Sequence, residues 1–331
     1  MSERFTHALI VGKCAPPHRG HQLVIDTALA EATRVTLLIW SNPDFPSMPN
    51  AVRAAWIREL YPPLLFPQLT IHVADYPPVN SEPDIVHREY VRQWAVRHHL
   101  SDVDVVYTSE DYGDGFAAHM GVTHRPVDRG RTRVPISGTQ LRADPHHWRE
   151  FLDPLVYRHF VERVVFLGAE STGKSTLTRS LADTYQTSMV PEFGDEVFRR
   201  EGGCLQPHHY LEIAHGHRAL EDAAALQAKR FLFCDTNAIT TLSWAFLLNR
   251  SAPDELFQLA DECQRRYRHV FVCADDFGHV QNGWRANTEV RHAHQGLILY
   301  DLARRGIRYH YLEGTLPQRI NRVCDVLELR A

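Results

Sequence analysis

One segment in the second half of the chain has the residue types and spacing of a phosphate-binding loop. Residues 168–175 read G-A-E-S-T-G-K-S, which matches the pattern G-x-x-x-x-G-K-[ST] between an apolar run and a helical stretch. Glycines let such a loop curl so that backbone N–H groups face phosphate oxygens at a helix N-terminus. We therefore predict a Mg-ATP site, with Lys174 on the β- and γ-phosphates and the Ser175 hydroxyl on Mg²⁺. The residues expected to hold the nucleotide are Gly168, Ser171, Thr172, Gly173, Lys174, Ser175 and Thr176.

A P-loop enzyme also needs a carboxylate on the metal side, and one buried strand supplies a candidate. The apolar run 231–234 delivers Asp235 at its carboxyl end, so Asp235 is the predicted second Mg²⁺ ligand. The alternative is that Asp235 only caps the following helix, because aspartate is a favoured N-cap residue.

Two further groups are predicted to act on the acceptor and on the transferred phosphoryl group. Glu192 or Asp195, which follow a strand-like run, could accept a proton from a substrate hydroxyl, and the alternative is that both are plain loop carboxylates. Arg285 and Arg291 lie in a polar stretch that could form a lid over the phosphates, or they could be solvated loop arginines.

A pair of histidines follows the first strand-like run. His18 and His21 flank Arg19 and Gly20 where a tight loop meets a helix start. Both imidazoles can point at one anion there, Gly20 permits close backbone approach, and the helix dipole adds positive potential. The pair predicts a polyphosphate site.

A second polar segment in the same half strengthens this prediction. Residues 136–142 read I-S-G-T-Q-L-R and place Ser137, Thr139 and Arg142 at the expected start of the last helix of this half. Two hydroxyls and a guanidinium form a phosphate clamp. Ser137 could instead be no more than the N-cap of that helix.

The strand-like runs of the chain indicate two parallel sheets that would position the predicted site residues. Strand-like runs at 8–11, 35–40, 70–73 and 103–107 alternate with helical patterns, and the rhythm repeats at 164–167, 231–234, 270–273 and 309–312. We predict an α/β fold with two parallel-sheet domains, residues 1–158 and residues 159–331.

Composition limits the remaining possibilities. The chain has 331 residues, 44% of them hydrophobic, and a formal net charge of −4, so it has no broad attraction for nucleic acid or anionic membranes. Its six cysteines are scattered, and no apolar run is long enough for a signal peptide or a membrane span. A reduced, cytoplasmic protein is expected.

Together these motifs resemble a known family. H-x-G-H with I-S-x-T-x-x-R is the signature pair of nucleotidylyltransferases, so the first half resembles a nicotinamide mononucleotide adenylyltransferase with a Rossmann-like fold. With the P-loop and the segments 192–194, 215–217 and 235–241, the whole chain resembles the NadR-type bifunctional proteins.

The resemblance implies a substrate, two reactions and roles for residues. The second half would be a kinase that phosphorylates ribosylnicotinamide with ATP, and the first would adenylylate the mononucleotide to NAD and pyrophosphate. It implies that Gly12, Lys13, Gly20, Ser137, Thr139 and Arg142 assist His18 and His21 on the ATP phosphates, and that Glu192 orients or deprotonates the ribose hydroxyl. Trp94, Tyr112 and Trp284 are candidates for stacking on nicotinamide.

Departures from the family pattern leave other functions open. Cys14 stands where phenylalanine is expected, Asp195 where arginine is expected, and Asn282 where aspartate is expected. A nucleotide sensor with one active domain, or a kinase for another small nucleoside, therefore stays open. A flavin-nucleotide synthase is disfavoured because its kinase has no P-loop. No DNA binding is expected, because the first strand begins too early for the helix-turn-helix of some relatives, and a homo-oligomer is allowed.

Overall fold

The computed structural model describes residues 4–276 and 288–328. The chain divides into two compact units, Met1–His159 and Phe160–Ala331. Within the described parts, no helix is both long and apolar enough to cross a membrane.

The first unit is a five-stranded parallel sheet with the order β3-β2-β1-β4-β5. Chain order reverses between the neighbours β1 and β4, and a crevice at such a switch point is the usual ligand site of an open α/β sheet. Apolar residues of the central strands bury both faces of the sheet, as parallel strands require. The elements are β1 (Phe5–Gly12), α1 (Arg19–Glu31), β2 (Ala32–Ile39), α2 (Asn50–Leu60), β3 (Leu69–Val73), α3 (Asp84–Arg97), β4 (Val105–Thr108), α4 (Gly113–Met120), β5 (Thr123–Pro126), α5 (Gly138–Ala143) and α6 (Pro154–Tyr157).

The second unit is also a five-stranded parallel sheet, with the order β10-β9-β6-β8-β7. Its central strand β6 pairs with β8 on one side and with β9 on the other, so the loop after β6 lies at the middle of the carboxyl edge. The elements are β6 (Glu162–Leu167), α7 (Lys174–Tyr185), β7 (Met189–Val190), α8 (Phe193–Arg200), α9 (Pro207–Ala225), β8 (Phe231–Asp235), α10 (Ala238–Asn249), α11 (Asp254–Arg266), β9 (His269–Cys273), α12 (Thr288–Arg304), β10 (His310–Leu312) and α13 (Leu316–Glu328).

This architecture confirms the predicted α/β class with two parallel sheets. One strand was not predicted: β5 reads T-H-R-P and is mostly exposed, so it has no apolar run to signal it. It lies at the edge of its sheet, where a terminal proline is tolerated because no further strand needs its missing N–H.

Candidate nucleotide-binding sites

A cavity of about 500 Å³ lies at the carboxyl ends of β1 and β4, at the switch point of the first sheet. The end of β1 leads into α1, and the start of α5 faces the same space. The wall brings together eight of the residues predicted from sequence: Gly12, Lys13, His18, Gly20, His21, Ser137, Thr139 and Arg142.

The two histidines form a reciprocal cap at the start of α1. Nδ1 of His18 accepts a hydrogen bond from the Gly20 N–H at 3.1 Å, and Nδ1 of His21 accepts one from the His18 N–H at 3.3 Å. A side chain at Gly20 would place its Cβ 2.9 Å from Cε1 of His18, so glycine is required for this approach. Since Nδ1 is an acceptor in both rings, the neutral tautomer carries its proton on Nε2. Each ring therefore keeps an Nε2–H donor.

Burial keeps both imidazoles neutral. It lowers the pKa of His18 to about 2, with His21, Arg131 and Arg142 adding to the shift, and it lowers the pKa of His21 to about 4, again with help from both arginines. The ring centroids are 3.9 Å apart. In the absence of an anion, the pair therefore acts as two neutral hydrogen-bond donors beside permanent positive charge.

Acidification is expected to destabilise the first unit through this pair. The folded-state pKa values lie below the ordinary value of 6.5, so the contribution is complete above about pH 6.5 and is lost as the pH falls toward about 4 and about 2. Each imidazole should lower the free energy of unfolding by roughly 2 kcal/mol between pH 7 and pH 5. Urea unfolding at both pH values should show a larger loss for the wild type than for a His18→Asn, His21→Asn variant. Equal losses would contradict the assignment.

Arg142 is held at the cavity wall by neutral groups. Its guanidinium donates to the Ala15 carbonyl at 2.7 Å and to the Thr139 hydroxyl at 2.9 Å, and it lies 4.9 Å from the centre of the Phe45 ring. No carboxylate is recorded as its partner among the described residues, so its charge is available to an anion. Burial, helped by Arg142, lowers the pKa of Lys13 on the same wall.

Ser137 caps α5, as the alternative interpretation held. Its hydroxyl accepts from the Gln140 N–H, and the Gln140 side chain bonds back to the Ser137 backbone in a capping box. A phosphate contact from Ser137 therefore stays a prediction.

Two arginines of this unit carried no sequence signal. Arg131 lines the cavity and pairs with Glu110 at 2.7 Å, which adds a second guanidinium near the histidines. Arg53 of α2 is fully buried and donates to the carbonyls of Lys13 at 2.6 Å and Trp40 at 3.0 Å. It thereby fixes the loop that follows β1.

The three residues that were candidates for stacking on nicotinamide lie in different places. Trp94 is only 1% exposed and stacks on His98 inside the core, so its selection as a nicotinamide contact was wrong. Tyr112 lines the cavity, as does Trp40, which was not considered. Trp284 lies outside the described residues.

A second cavity, of about 980 Å³, lies in the second unit along the loop between β6 and α7. Eight predicted residues line it: Ser171, Thr172, Gly173, Lys174, Ser175, Thr176, Glu192 and Asp195. Gly168 at the start of the loop and Asp235 at the end of β8 are not part of the wall.

The loop has the backbone that a phosphate cradle needs. Gly168 has φ +138°, and a Cβ there would lie 2.7 Å from the Cys273 carbonyl oxygen, so only glycine fits. Gly173 also has positive φ, at +82°. Nζ of Lys174 donates to the Ala169 carbonyl at 2.8 Å, a neutral partner that a phosphate oxygen can replace.

Three residues from distant helices hold this loop in place. Gln295 accepts from the Ala169 N–H at 2.7 Å and donates to the Cys273 carbonyl at 3.1 Å. Arg319, 1% exposed, donates to the Thr172 carbonyl at 2.8 Å. Arg291 donates to the Glu170 carbonyl at 3.1 Å.

The proposed lid residues therefore fall into two groups. Arg291 is buried on α12 and bound to the P-loop backbone, so its assignment to an exposed loop was wrong. Arg285 and Asn282 lie outside the described residues.

The acidic residues predicted to act with the P-loop have distinct environments. Asp235 is 1% exposed, and its Oδ1 has no hydrogen-bond partner among the described residues. It does not cap α10: the side chain of Asn237 does, accepting from the Ile239 N–H at 2.9 Å, so the capping alternative for Asp235 was wrong.

The carboxyl groups of Glu192 and Asp195 also lie in different environments. Burial raises the pKa of the Glu192 carboxyl to about 7, a shift that Lys174 opposes and Asp235 reinforces. Asp195 is half exposed and pairs with Arg199 one turn along α8. Glu192 is thus the carboxylate suited to accept a proton near neutral pH.

Comparison with known proteins finds a family model that matches part of the chain and relatives that are similar to it in sequence. The model of a family described as an AAA domain matches residues 163–319. The trifunctional NAD biosynthesis/regulator protein NadR of Escherichia coli is 27% identical over 94% of the chain and 80% of that relative. The protein of the same name from Salmonella typhimurium is 32% identical over 67% of the chain, which spans about half (56%) of that relative.

Solved structures show the same fold. A crystal structure of NadR protein in complex with NR superposes with a TM-score of 0.71, at 22% identity, over 98% of the chain and 96% of that structure. A second, of NadR protein in complex with NAD and AMP-PNP, gives 0.71 at 21% identity with the same coverage.

Proposed function

The chain is a NadR-type protein, and we propose that it carries out two consecutive steps of NAD salvage. The unit that contains the P-loop first phosphorylates ribosylnicotinamide with ATP. The unit that contains the histidine pair then adenylylates the mononucleotide to NAD and pyrophosphate. The observation that carries the proposal is the presence on one chain of two cavities that are lined by different candidate phosphate-binding groups. One offers neutral histidine donors and the other a P-loop lysine.

In the adenylylation site, the residues position the two reactants and neutralise the charge on their phosphates. A phosphate oxygen of the mononucleotide attacks the α-phosphorus of ATP, and the bond to pyrophosphate breaks. Nε2–H groups of His18 and His21 donate to phosphate oxygens, while Arg142 and Lys13 balance the charge that builds on the leaving group. No group of the enzyme needs to form a covalent bond, because holding the reactants in line lowers the barrier.

In the kinase site, Glu192 and the P-loop act on opposite ends of the transfer. Lys174 and the loop N–H groups hold the β- and γ-phosphates. Glu192 accepts the proton of the ribose hydroxyl. At the same time the hydroxyl oxygen bonds to the γ-phosphorus and ADP leaves. A carboxyl with a pKa near 7 is suited to that exchange.

Mg²⁺ fits the residues present. The unpartnered Oδ1 of buried Asp235 and the exposed Ser175 hydroxyl at the start of α7 are the oxygen ligands this ion prefers. When bound, the ion would neutralise charge on the β- and γ-phosphates of ATP.

The proposal is tested with the intact protein, ATP, Mg²⁺ and either the riboside or its mononucleotide, with products separated chromatographically. The riboside should give the mononucleotide and then NAD, and the mononucleotide should give NAD and pyrophosphate. Absence of mononucleotide from the riboside would remove the kinase half. Turnover of another nucleoside in its place would establish the alternative substrate, and NAD binding without turnover would establish the sensor.

A further inference from the structure

Residues 215–217 of α9 are among the segments that carry the family resemblance, yet the chemistry described above does not use them. They read H-G-H, so two histidines stand two residues apart on one helix. His215 lies at the surface: its side chain is 52% exposed, and its Nε2 lies 2.8 Å from Oε1 of Glu255. His217 is only 5% exposed and lies on the wall of the kinase cavity. The second histidine is therefore the one placed to influence the site.

The imidazole of His217 connects α9 to the end of β8. Its Nε2 lies 3.1 Å from the backbone carbonyl oxygen of Asp235, and its Nδ1 lies 3.2 Å from Oε1 of Glu221, one turn along α9. A carbonyl oxygen can only accept, so Nε2 carries a hydrogen and donates it to Asp235. β7 pairs with β8 as far as Cys234. The imidazole thus bonds to the strand at the residue that follows the last one paired with β7.

A buried carboxylate holds the other side of this imidazole. Glu221 is fully buried, and the side chains of Arg266 and Tyr267 both donate to it. Burial alone would raise the pKa of the Glu221 carboxyl, but the hydrogen bond from His217 and the charge of Arg266 lower it to about 2, so the group is ionised. A buried polar network whose members all have partners is rigid. His217 is therefore held in one orientation.

The glycine between the two histidines brings a second catalytic carboxylate to the same helix. A Cβ at Gly216 would lie 2.1 Å from Cε1 of Phe193, so the Phe193 ring packs directly against α9 there. Phe193 is the first residue of α8, and Glu192 is the N-cap residue of that helix. Burial raises the pKa of the Glu192 carboxyl, and His217 is among the groups that oppose the rise. Gly216 and His217 thus connect α9 to the helix start with Glu192 and to the strand end with Asp235.

We propose that His217 is a positioning residue of the kinase, whose Nε2–H holds the backbone of Asp235 so that its carboxylate keeps one position toward the metal-bound phosphates of ATP. This rests on the proposed kinase function. His217 acts through Asp235, whose buried Oδ1 has no other partner among the described residues, and needs no contact with the acceptor. Groups that orient a metal ligand matter nearly as much as the ligand, and their loss commonly costs about 10- to 100-fold in metal affinity or activity.

Three substitutions separate the hydrogen bond to Asp235 from the packing of the ring. His217→Gln reaches as far as Nε2 and keeps an N–H donor, whereas His217→Met has a similar length and no donor. His217→Asn is shorter, so its amide replaces Nδ1 beside Glu221 and leaves the Asp235 carbonyl without this bond. Urea unfolding shows which variants are folded under the assay conditions. Because Met and Asn remove the same bond in different ways, either one in folded form is sufficient for the comparison.

Two measurements on the intact protein test the proposal. They are kcat and KM for riboside phosphorylation, and calorimetric binding of the ATP analogue AMP-PNP with and without Mg²⁺. His217→Met and His217→Asn should lower kcat about 10- to 100-fold and change the KM for the riboside less than about threefold. They should weaken AMP-PNP binding only when Mg²⁺ is present. His217→Gln should keep kcat within about threefold of the wild type, because it keeps the donor.

His215→Asn is the matched control, since it changes a histidine of the same helix that lies at the surface, and it should leave both measurements unchanged. A folded Met or Asn variant with full kcat and full Mg²⁺-dependent binding would overturn the assignment. So would a Gln variant as impaired as the Met variant, because the loss would then follow the ring and not the donor. A wild type that does not phosphorylate the riboside would instead overturn the proposed function. Binding of AMP-PNP would in that case still test the support of Asp235, because it needs no acceptor.

Discussion

Lys174→Ala is expected to lower kcat for riboside phosphorylation about 100- to 1,000-fold and to leave adenylylation of the mononucleotide unchanged. Removing one preplaced charge that faces the reacting phosphates has an effect of that order. The glycine backbone of the loop and its anchors at Gln295 and Arg319 do not involve the lysine side chain, so the loop should keep its shape. Kinetics with each substrate separately, on the same preparation, measure both activities.

A control for this change is present in the chain, which has three lysines: Lys13, Lys174 and Lys229. Lys229 bonds to Gln186 at 3.2 Å, away from the cavity wall, and Lys229→Ala should retain both activities. The residues that line the two cavities are different throughout. Loss of adenylylation in Lys174→Ala would therefore contradict two separate sites.

Both candidate phosphate sites could be located from the sequence because the residues that form each of them are close together in the chain. In the P-loop, the positive φ angles of Gly168 and Gly173, the lysine and the helix start all fall within eight residues. The histidine pair is equally compact, since its two rings cap one helix end through bonds across two or three residues. A short motif records such geometry because no distant segment is needed to create it.

The supports of these sites could not be predicted, because each is a single polar residue within a helix. Arg319 bonds to a loop residue 147 positions away, and Gln295 to one 126 positions away. Arg53 of α2 has the sequence context of a surface helix residue, yet it is fully buried. Only the packing of α2, α12 and α13 on their sheets makes these residues part of a site.

The wrong interpretations have the same physical origin. Asp235 and Asn237 are both good capping residues, and the sequence does not say which one starts the helix. The end of β8 decides, because it leaves Asp235 in the strand with an unpaired oxygen and puts Asn237 at the cap. Likewise, α12 extends far enough toward its N-terminus to include Arg291, which a polar composition had assigned to a loop.

His18→Asn is expected to lower the rate of NAD formation from the mononucleotide about 100-fold or more and to spare phosphorylation of the riboside. The change is chosen because His18 has two separable roles. Its Nδ1 caps α1, and Asn is among the best residues for that role, so the helix start should survive. Its Nε2–H, proposed to donate to the ATP phosphates, is lost, and losing a donor of this kind costs about 100- to 1,000-fold.

Two comparisons make the result specific to that donor. His18→Ala, which removes cap and donor together, should be as inactive as His18→Asn and less stable by about 1 kcal/mol in urea unfolding. His99→Asn places the same substitution at an exposed histidine with φ +57°, a conformation that asparagine tolerates, and should leave both activities unchanged. If His18→Asn kept full adenylylation while His18→Ala lost it, His18 would act only as a helix cap. The Nε2–H donors would then have to be sought on His21 and the neighbouring arginines alone.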